Sequence, residues 1–216
     1  MQKRTGNVNL TDLPYYTKQN LGLALGKNED SLDYWIKTMI QNQIILVLKK
    51  GLYVSSDYLD LIKAKGETEA YLEYLAGIIR SPSYLSLEYA LAKYNLIPEA
   101  VFAITSITSK TTRTFQSTLT TFYYRNLKPK LFTGFVEKNF GKQTYKIALP
   151  AKALFDYLYL RKFSSLLEMK DYLLQDSRIN WSELSADDWQ MFEQYVELSA
   201  SKKMLRIKKI LESINQ

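Results

Sequence analysis

Polar side chains recur along one side of the segment 31–54, and two lysines follow them. Tyr34, Lys37, Thr38 and Gln41 are spaced so that a helix would place them on one face. Such side chains can form hydrogen bonds to the edges of nucleic-acid bases, and lysines at a hairpin tip can reach backbone phosphates. The spacing therefore indicates non-covalent binding of a polyanion.

The opposite face of the same predicted helix is apolar. The residues that share it are Leu32, Trp35, Ile36, Met39, Ile40 and Gln43, and their period predicts that this face packs on a core. A β-rich run at 44–48, a break at Lys49-Lys50-Gly51 and a second run at 52–54 predict a hairpin. Helix followed by hairpin is the reading half of a winged helix-turn-helix, whose helix can enter the DNA major groove.

Signals for helix ends predict a first helix before this one. Thr17 is a predicted N-cap, Gly26 is a predicted C-cap, and Asp30 or Ser31 is predicted to cap the second helix. Residues 9–13 are predicted to form a further short helix. The predicted DNA contacts are the polar and basic residues of the two helices, the turn and the hairpin tip: Lys18, Lys27, Ser31, Tyr34, Lys37, Thr38, Gln41, Lys49 and Lys50.

The same pattern has a simpler interpretation. Amphipathic helices followed by hairpins occur in many small domains, and a charged outer face is commonly only solvated. The net charge is +7, but residues 1–60 carry seven Lys/Arg against six Asp/Glu, which leaves +6 for the rest of the chain. This distribution weakens a purely electrostatic argument for the predicted winged helix and indicates a second basic surface downstream.

Composition restricts the chemistry further. The chain has 216 residues, 46% of them hydrophobic, and contains neither cysteine nor histidine. Disulfides, thiolate or imidazole metal sites, cysteine nucleophiles and histidine triads are thereby excluded. With no glycine-rich phosphate loop and no acidic pair at a telling spacing, we expect no catalysis, no cofactor and no metal. No long apolar run or signal segment is present, so we expect a cytoplasmic protein without membrane association.

The predicted fold class is α+β: a winged helix-turn-helix domain in residues 1–60 and a mixed α/β domain in residues 61–216, with a linker or short helix at 55–66. Period-two patterns predict about four antiparallel strands flanked by helices, at 101–105, 114–124, 130–136 and 143–149. The second basic surface comprises Lys110, Arg113, Arg125, Lys128 and Lys130, with Lys142 and Lys146 nearby. Lysines also guard sheet edges against unwanted pairing, so a binding role is one of two interpretations.

Helical periodicity predicts further helices at 68–80, 86–95, 150–161, 166–174, 187–199 and 202–214. Ser86 is the predicted cap of the second of these, and Pro150 begins the third. The last combines basic and apolar residues and could dock on the domain or on a partner, with binding to a membrane surface as the weaker alternative.

Three separated motifs in this second half are similar to those of a known family. They are Ser-Pro-Ser-Tyr-Leu-Ser-Leu-Glu-Tyr-Ala-Leu at 81–91, Tyr-Asn-Leu-Ile-Pro at 94–98 and Ala-Leu-Pro-Ala-Lys-Ala-Leu-Phe-Asp-Tyr-Leu at 148–158. Together with the run at 50–54, which looks like that family's wing, they resemble the AbiEi antitoxins of type IV toxin–antitoxin systems, which are linked to abortive phage infection. The chain has Ala151 where the family usually has glutamate.

The resemblance implies a winged helix that represses its own operon by binding repeated sites in double-stranded promoter DNA. It also implies a second domain that counteracts a nucleotidyltransferase-like toxin without requiring a stable complex with it. The alternative from the residues alone is a non-catalytic module whose basic second domain binds RNA or a protein. An enzyme is the third hypothesis, and it lacks an identifiable nucleophile and base.

Overall fold

The structure of the chain, a computed structural model, describes residues 9–213 without the side chain of Glu29. Ile214, where the last predicted helix ends, lies outside the described residues. The fold is mixed α+β, as the sequence predicts, and the chain divides into two units. The first contains residues up to Leu75 and the segment Phe115–Thr121, and the second contains Ala76–Thr114 and the residues from Phe122 onward.

The first unit contains two helices followed by a hairpin. Its elements are β1 (Tyr16–Thr17), α1 (Lys18–Leu25), α2 (Glu29–Gln41), β2 (Ile45–Lys49), β3 (Leu52–Ser55), α3 (Ser56–Ala64) and the start of α4 (Thr68–Ile79). The three strands form an antiparallel sheet in the order β1-β3-β2. Residues 9–13 form no helix, because a single turn gains too few hydrogen bonds and the Asn9 side chain accepts from the Thr11 N–H at 3.0 Å instead.

Capping residues mark both ends of α1 and the start of α2. The Thr17 hydroxyl accepts a hydrogen bond from a backbone N–H in the first turn of α1, and Gly26 ends that helix at φ +60°, both as predicted. Helix α2 begins at Glu29, earlier than predicted, because the N-cap is Asn28 rather than Asp30 or Ser31. The Asn28 carboxamide oxygen accepts from the Ser31 N–H at 3.3 Å.

The apolar face of α2 packs into the core of the first unit. Leu32 and Ile36 are buried as predicted, whereas Trp35 is half-buried and Ile40 is 37% exposed. Gln43, predicted on this face, is exposed because it adopts φ +57° just after the helix ends. The buried cluster consists of Leu10, Tyr16, Leu21, Leu32, Ile36, Met39, Ile45 and Tyr53.

Helices α3 and α4 extend the first unit beyond residue 60, where the sequence predicts the domain boundary. The segment 55–66 is mostly α3, capped by the Ser55 hydroxyl, which accepts from the Tyr58 N–H at 3.1 Å. In α4, the Tyr71 hydroxyl donates to the Pro14 carbonyl at 2.5 Å, and its ring centroid lies 5.5 Å from that of Tyr58. Burial raises the pKa of Tyr71, so its hydroxyl stays protonated and keeps this bond.

The second unit is built around a mixed sheet, whose β6–β7 turn is part of the segment grouped with the first unit. The strands are β4 (Ser83–Leu85), β5 (Ile104–Thr108), β6 (Arg113–Gln116), β7 (Thr121–Asn126), β8 (Phe135–Phe140) and β9 (Gln143–Ala148). Their order is β6-β7-β5-β4-β9-β8, with β4–β9 and β5–β7 parallel. The sheet thus differs from the predicted four antiparallel strands. β4 has three residues, too few for an alternating pattern, and chain connections rather than local sequence decide strand direction.

Helices cover this sheet, and α6 is the most enclosed of those described. They are α5 (Leu87–Lys93), α6 (Pro150–Leu160), α7 (Leu166–Asp171), α8 (Ala186–Ser199) and α9 (Lys202–Glu212), with a π-helical turn at Tyr172–Asp176 and 3-10 turns at Pro129–Leu131 and Trp181–Glu183. Helix α6 packs against α5, α8, α9 and β9. Across residues 9–213, no helix is both long enough and apolar enough to cross a membrane.

A buried ion pair lies at the centre of the second unit. Lys152 and Asp156 face each other one turn apart on α6, and both are fully buried. The Asp156 carboxylate also accepts hydrogen bonds from the Tyr84 and Ser86 hydroxyls, each at 2.9 Å. Ser86, predicted as the side-chain cap of α5, therefore makes no cap bond because its hydroxyl is committed to Asp156.

The surroundings of the pair explain how two charges are tolerated away from water. The Lys152 ammonium lies 5.6, 5.0 and 5.5 Å from the ring centroids of Tyr84, Phe155 and Tyr195. Burial lowers the pKa of Lys152 and raises the pKa of Asp156, while the attraction between the two charges opposes both shifts.

A lysine from α9 satisfies the carbonyl groups at the end of α6. The Lys203 ammonium donates to the carbonyl oxygens of Leu158, Tyr159 and Arg161 at 2.9, 2.6 and 2.6 Å. These carbonyls have no partners within their own helix, and a cation at a helix C-terminus also interacts favourably with the helix dipole. Lys203 therefore joins α9 to α6.

We expect Lys152→Met to lower the free energy of unfolding by about 3–5 kcal/mol, because it leaves a buried carboxylate without its counter-ion. Denaturant unfolding measures this change, and Lys170→Met, at an exposed lysine of α7, is the control expected to change stability by less than about 0.5 kcal/mol. The double variant Lys152→Met/Asp156→Leu should lose less unfolding free energy than the sum of the losses in Lys152→Met and in Asp156→Leu. Simple additivity would contradict a coupled pair.

We expect Lys203→Met to cost about 1.5–3 kcal/mol in unfolding free energy, because three charge-assisted hydrogen bonds to carbonyls are lost. The neighbouring exposed lysine provides the control, Lys202→Met, which should be nearly neutral. Equal effects of the two substitutions in thermal unfolding would show that the cap contributes nothing.

Candidate nucleic-acid interface

The outer face of α2 presents a ridge of polar side chains, defined here as Tyr34, Lys37 and Gln41. Tyr34 is 64% exposed, and Lys37 and Gln41 are also exposed. The ridge lies opposite the buried Leu32 and Ile36, because residues spaced three and four apart share a helix face. The structure thus brings three predicted contacts together on one open surface.

Two other predicted contacts on α2 have local roles. The Thr38 hydroxyl donates to the Tyr34 carbonyl at 3.0 Å and is half-buried. The Ser31 hydroxyl lies 2.7 Å from the Asn28 side-chain oxygen and supports the N-cap of α2. Both hydroxyls therefore use their donor hydrogens within the helix.

Two lysines border the ridge on the side of α1. The Lys18 ammonium lies 2.6 Å from the Asp33 carboxylate and so reduces the negative charge beside the ridge. The Lys27 ammonium lies 4.7 Å from the Trp35 ring centroid, which holds its charge at the turn between the helices. Both predicted contacts stay near the ridge, but each already has an interaction within the unit.

A shallow cavity of about 490 Å³ lies where α1 meets the start of α2. It is lined by Lys18, Leu23, Lys27 and other residues of these helices, and Leu23 is 77% exposed. A Cβ added at Gly22 would meet Leu32 at 3.0 Å, so glycine permits the close approach of the two helices.

The hairpin after α2 ends in a turn at Lys50 and Gly51. Gly51 adopts φ +77°, and the pairing register shifts between Val47 and Lys49. Lys50 is exposed at the tip, as predicted. Lys49 is half-buried, with its ammonium 5.9 Å from the Phe115 ring centroid, so the two lysines are not equivalent.

The fold brings two residues of the second basic surface to one end of the sheet. Lys110, Arg113, Arg125, Lys128 and Lys130 are all exposed. Because β5 and β7 run parallel, Lys110 after β5 and Arg125 near the end of β7 emerge at the same end of the sheet. The Asn126 side-chain amide donates to the Lys110 carbonyl at 2.8 Å and joins the two segments. By contrast, Lys146 belongs to β9, where it pairs with Glu137 at 3.8 Å.

A further cavity of about 680 Å³ in the second unit was not predicted from the sequence. It lies between the start of α5, the loop at 100–103, strands β5 and β7, and the end of α6. Its side chains include Phe102, Tyr123, Arg125 and Arg161. Of these, only Arg125 belongs to a site predicted from the sequence. Phe102, Tyr123 and Arg161 lie in separate elements, and no motif in the sequence links them.

Comparisons with known proteins do not assign the chain to a family. No model of a protein family matches it, and no curated protein shows a matching sequence.

We expect Asn28→Ala to destabilise the first unit by about 1 kcal/mol, because α2 loses its N-cap acceptor. Asn20→Ala, at an exposed position of α1, is the matched control and should change stability by a few tenths of a kcal/mol at most. Thermal unfolding followed by circular dichroism provides the measurement. An Asn28 variant as stable as the control would mean that the cap does not hold the start of α2.

Proposed function

We propose that the first unit is a winged helix-turn-helix that binds double-stranded DNA, with α2 as the recognition helix and β2–β3 as the wing. The observation that supports this most strongly is the exposed ridge of Tyr34, Lys37 and Gln41, followed along the chain by a hairpin with Lys50 at its tip. A major groove admits a helix of this kind, and glutamine can form two hydrogen bonds to adenine there.

The lysines of the unit are assigned to affinity and its uncharged polar side chains to sequence preference. Lys18, Lys27, Lys37 and Lys50 are the cations near the ridge and at the hairpin tip, and we assign them to backbone phosphates. Gln41 and Tyr34 are assigned to base edges. With so few cations, binding is expected to depend on salt with a modest slope, of about 0.9 per phosphate neutralised.

We propose further that the protein represses its own operon at repeated promoter sites and acts as a cytoplasmic antitoxin against a nucleotidyltransferase-like toxin. The resemblance of residues 81–91, 94–98 and 148–158 to the AbiEi antitoxins supports this part. Growth rescue tests it: expression of the chain should restore growth of cells that produce a nucleotidyltransferase encoded beside it. Continued growth arrest at confirmed expression of both proteins would reject the antitoxin role.

The DNA-binding proposal is tested by measuring the affinity of the full chain for the duplex upstream of its coding sequence over a range of salt concentrations. Lys50→Ala should weaken binding to all duplexes and reduce the salt slope by about one. Lys49→Ala should have a smaller effect, because Lys49 is half-buried whereas Lys50 is exposed. Lys65→Ala, at the exposed end of α3, is the control expected to bind like the parent chain.

Gln41→Ala should instead reduce the difference in binding free energy between the specific duplex and a scrambled one by about 1–3 kcal/mol, because a base contact is lost. Unchanged sequence preference in this variant, together with an unchanged salt slope in Lys50→Ala, would reject α2 and the hairpin as the DNA-binding surface.

A further inference from the structure

The 680 Å³ cavity of the second unit is lined by apolar, aromatic and charged side chains. Its size falls within the range of sites that hold small organic ligands, which is about 300–1,000 Å³. Leu87, Val101 and Leu160 are among the apolar residues that line it, and the lining residue Phe102 is 88% exposed. Small-molecule sites are lined mainly by hydrophobic and aromatic side chains with a few polar groups.

Two arginines that line the cavity differ in how they are held. The Arg161 guanidinium lies 3.6 Å from the Tyr172 ring centroid and 3.5 Å from the Tyr157 hydroxyl, which is itself 2.7 Å from the Tyr172 hydroxyl. Arg161 is therefore fixed in orientation before any ligand arrives. Arg125 is exposed on β7, and no described residue forms an ion pair with it. Guanidinium groups in such positions suit a phosphate, which they can bind through two hydrogen bonds.

The remaining groups suit a nucleobase. Tyr123, 42% exposed, lies two residues before Arg125 on β7, so the two side chains share one face of the sheet. The rings of Tyr123 and Phe102 provide stacking surfaces, and the Glu88 carboxylate can accept hydrogen bonds from an exocyclic amine or a ribose hydroxyl. Phosphate, base and ribose thus each have a chemical counterpart in the same cavity.

A peptide fits these observations less well. Strands β5 and β7 lie inside the sheet, between β6 and β4, so neither has a free edge to which an extended peptide could add as a strand. We propose that this cavity binds a nucleoside phosphate, either as a free nucleotide or as the terminal nucleotide of a single strand. Arg125 and Arg161 bind its phosphate, and Phe102 and Tyr123 stack on its base.

The test uses isothermal titration calorimetry of the full chain with AMP, GMP, CMP and UMP, with the corresponding nucleosides, with inorganic phosphate and with a 5′-phosphorylated pentaribonucleotide. At least one mononucleotide should bind about tenfold or more tightly than its nucleoside, because the phosphate contacts are charge-assisted. A pentanucleotide that binds no more tightly than the mononucleotide identifies a free nucleotide as the ligand. A pentanucleotide that binds at least about tenfold more tightly identifies a strand end.

Substitutions distinguish binding in this cavity from general electrostatic attraction to a basic surface. Arg125→Gln should weaken nucleotide binding about tenfold or more, and Phe102→Leu should weaken it about fivefold through lost stacking. Lys128→Gln is the matched control, since Lys128 is exposed nearby but does not line the cavity. It should change the affinity less than about twofold.

Three results would overturn the proposal. One is the absence of binding by every mononucleotide and by the pentanucleotide at millimolar concentration. Another is equal weakening of nucleotide binding by Lys128→Gln and by Arg125→Gln. The third is binding of inorganic phosphate as tight as that of the nucleotide. The proposed DNA-binding surface lies in the first unit and shares no residue with this cavity, so Arg125→Gln should leave duplex binding unchanged. The nucleotide proposal and the DNA-binding proposal can therefore fail independently.

Discussion

The arrangement of the second unit depends on the fully buried pair of Lys152 and Asp156. Two charges removed from water are tolerated only when their hydrogen-bonding positions are occupied. The hydroxyls of Tyr84 and Ser86 meet this requirement from the neighbouring strand β4 and the residue that follows it, so the pair holds α6 against the sheet. A Cβ at Gly134 would collide with the Tyr195 hydroxyl and lie 3.0 Å from the Lys152 Cδ, so glycine at this position leaves room for both side chains.

This constraint gives a structural meaning to the motifs that resemble the AbiEi antitoxins. Tyr84 and Ser86 lie in the motif at 81–91, and Lys152 and Asp156 lie in the motif at 148–158. Their side chains are buried and contact one another. The resemblance therefore includes residues that hold the fold of the second unit, while Leu87, Glu88 and Tyr157 of the same motifs line the 680 Å³ cavity.

In the first unit, helix ends determine which polar side chains are available. Asn28 and Gly26 place the turn between α1 and α2, and this fixes which face of α2 is turned away from the core. The hydroxyls of Ser31 and Thr38 are used inside the helix. The exposed ridge is consequently smaller than the nine predicted contacts, and its chemistry depends mainly on long side chains that extend beyond the backbone.

The sequence by itself determined the α+β class, the caps at Thr17 and Gly26, the inward face of α2 and the hairpin tip at Lys50, because each follows from neighbours within a few residues. Tertiary structure alone decided the rest. The parallel strand pairs, the burial of Lys152 with Asp156 and the convergence of Phe102 and Arg161 on one cavity join residues far apart in the chain. Local periodicity carries no information about which distant segments meet, because that choice is made by burying apolar surface and satisfying buried polar groups together.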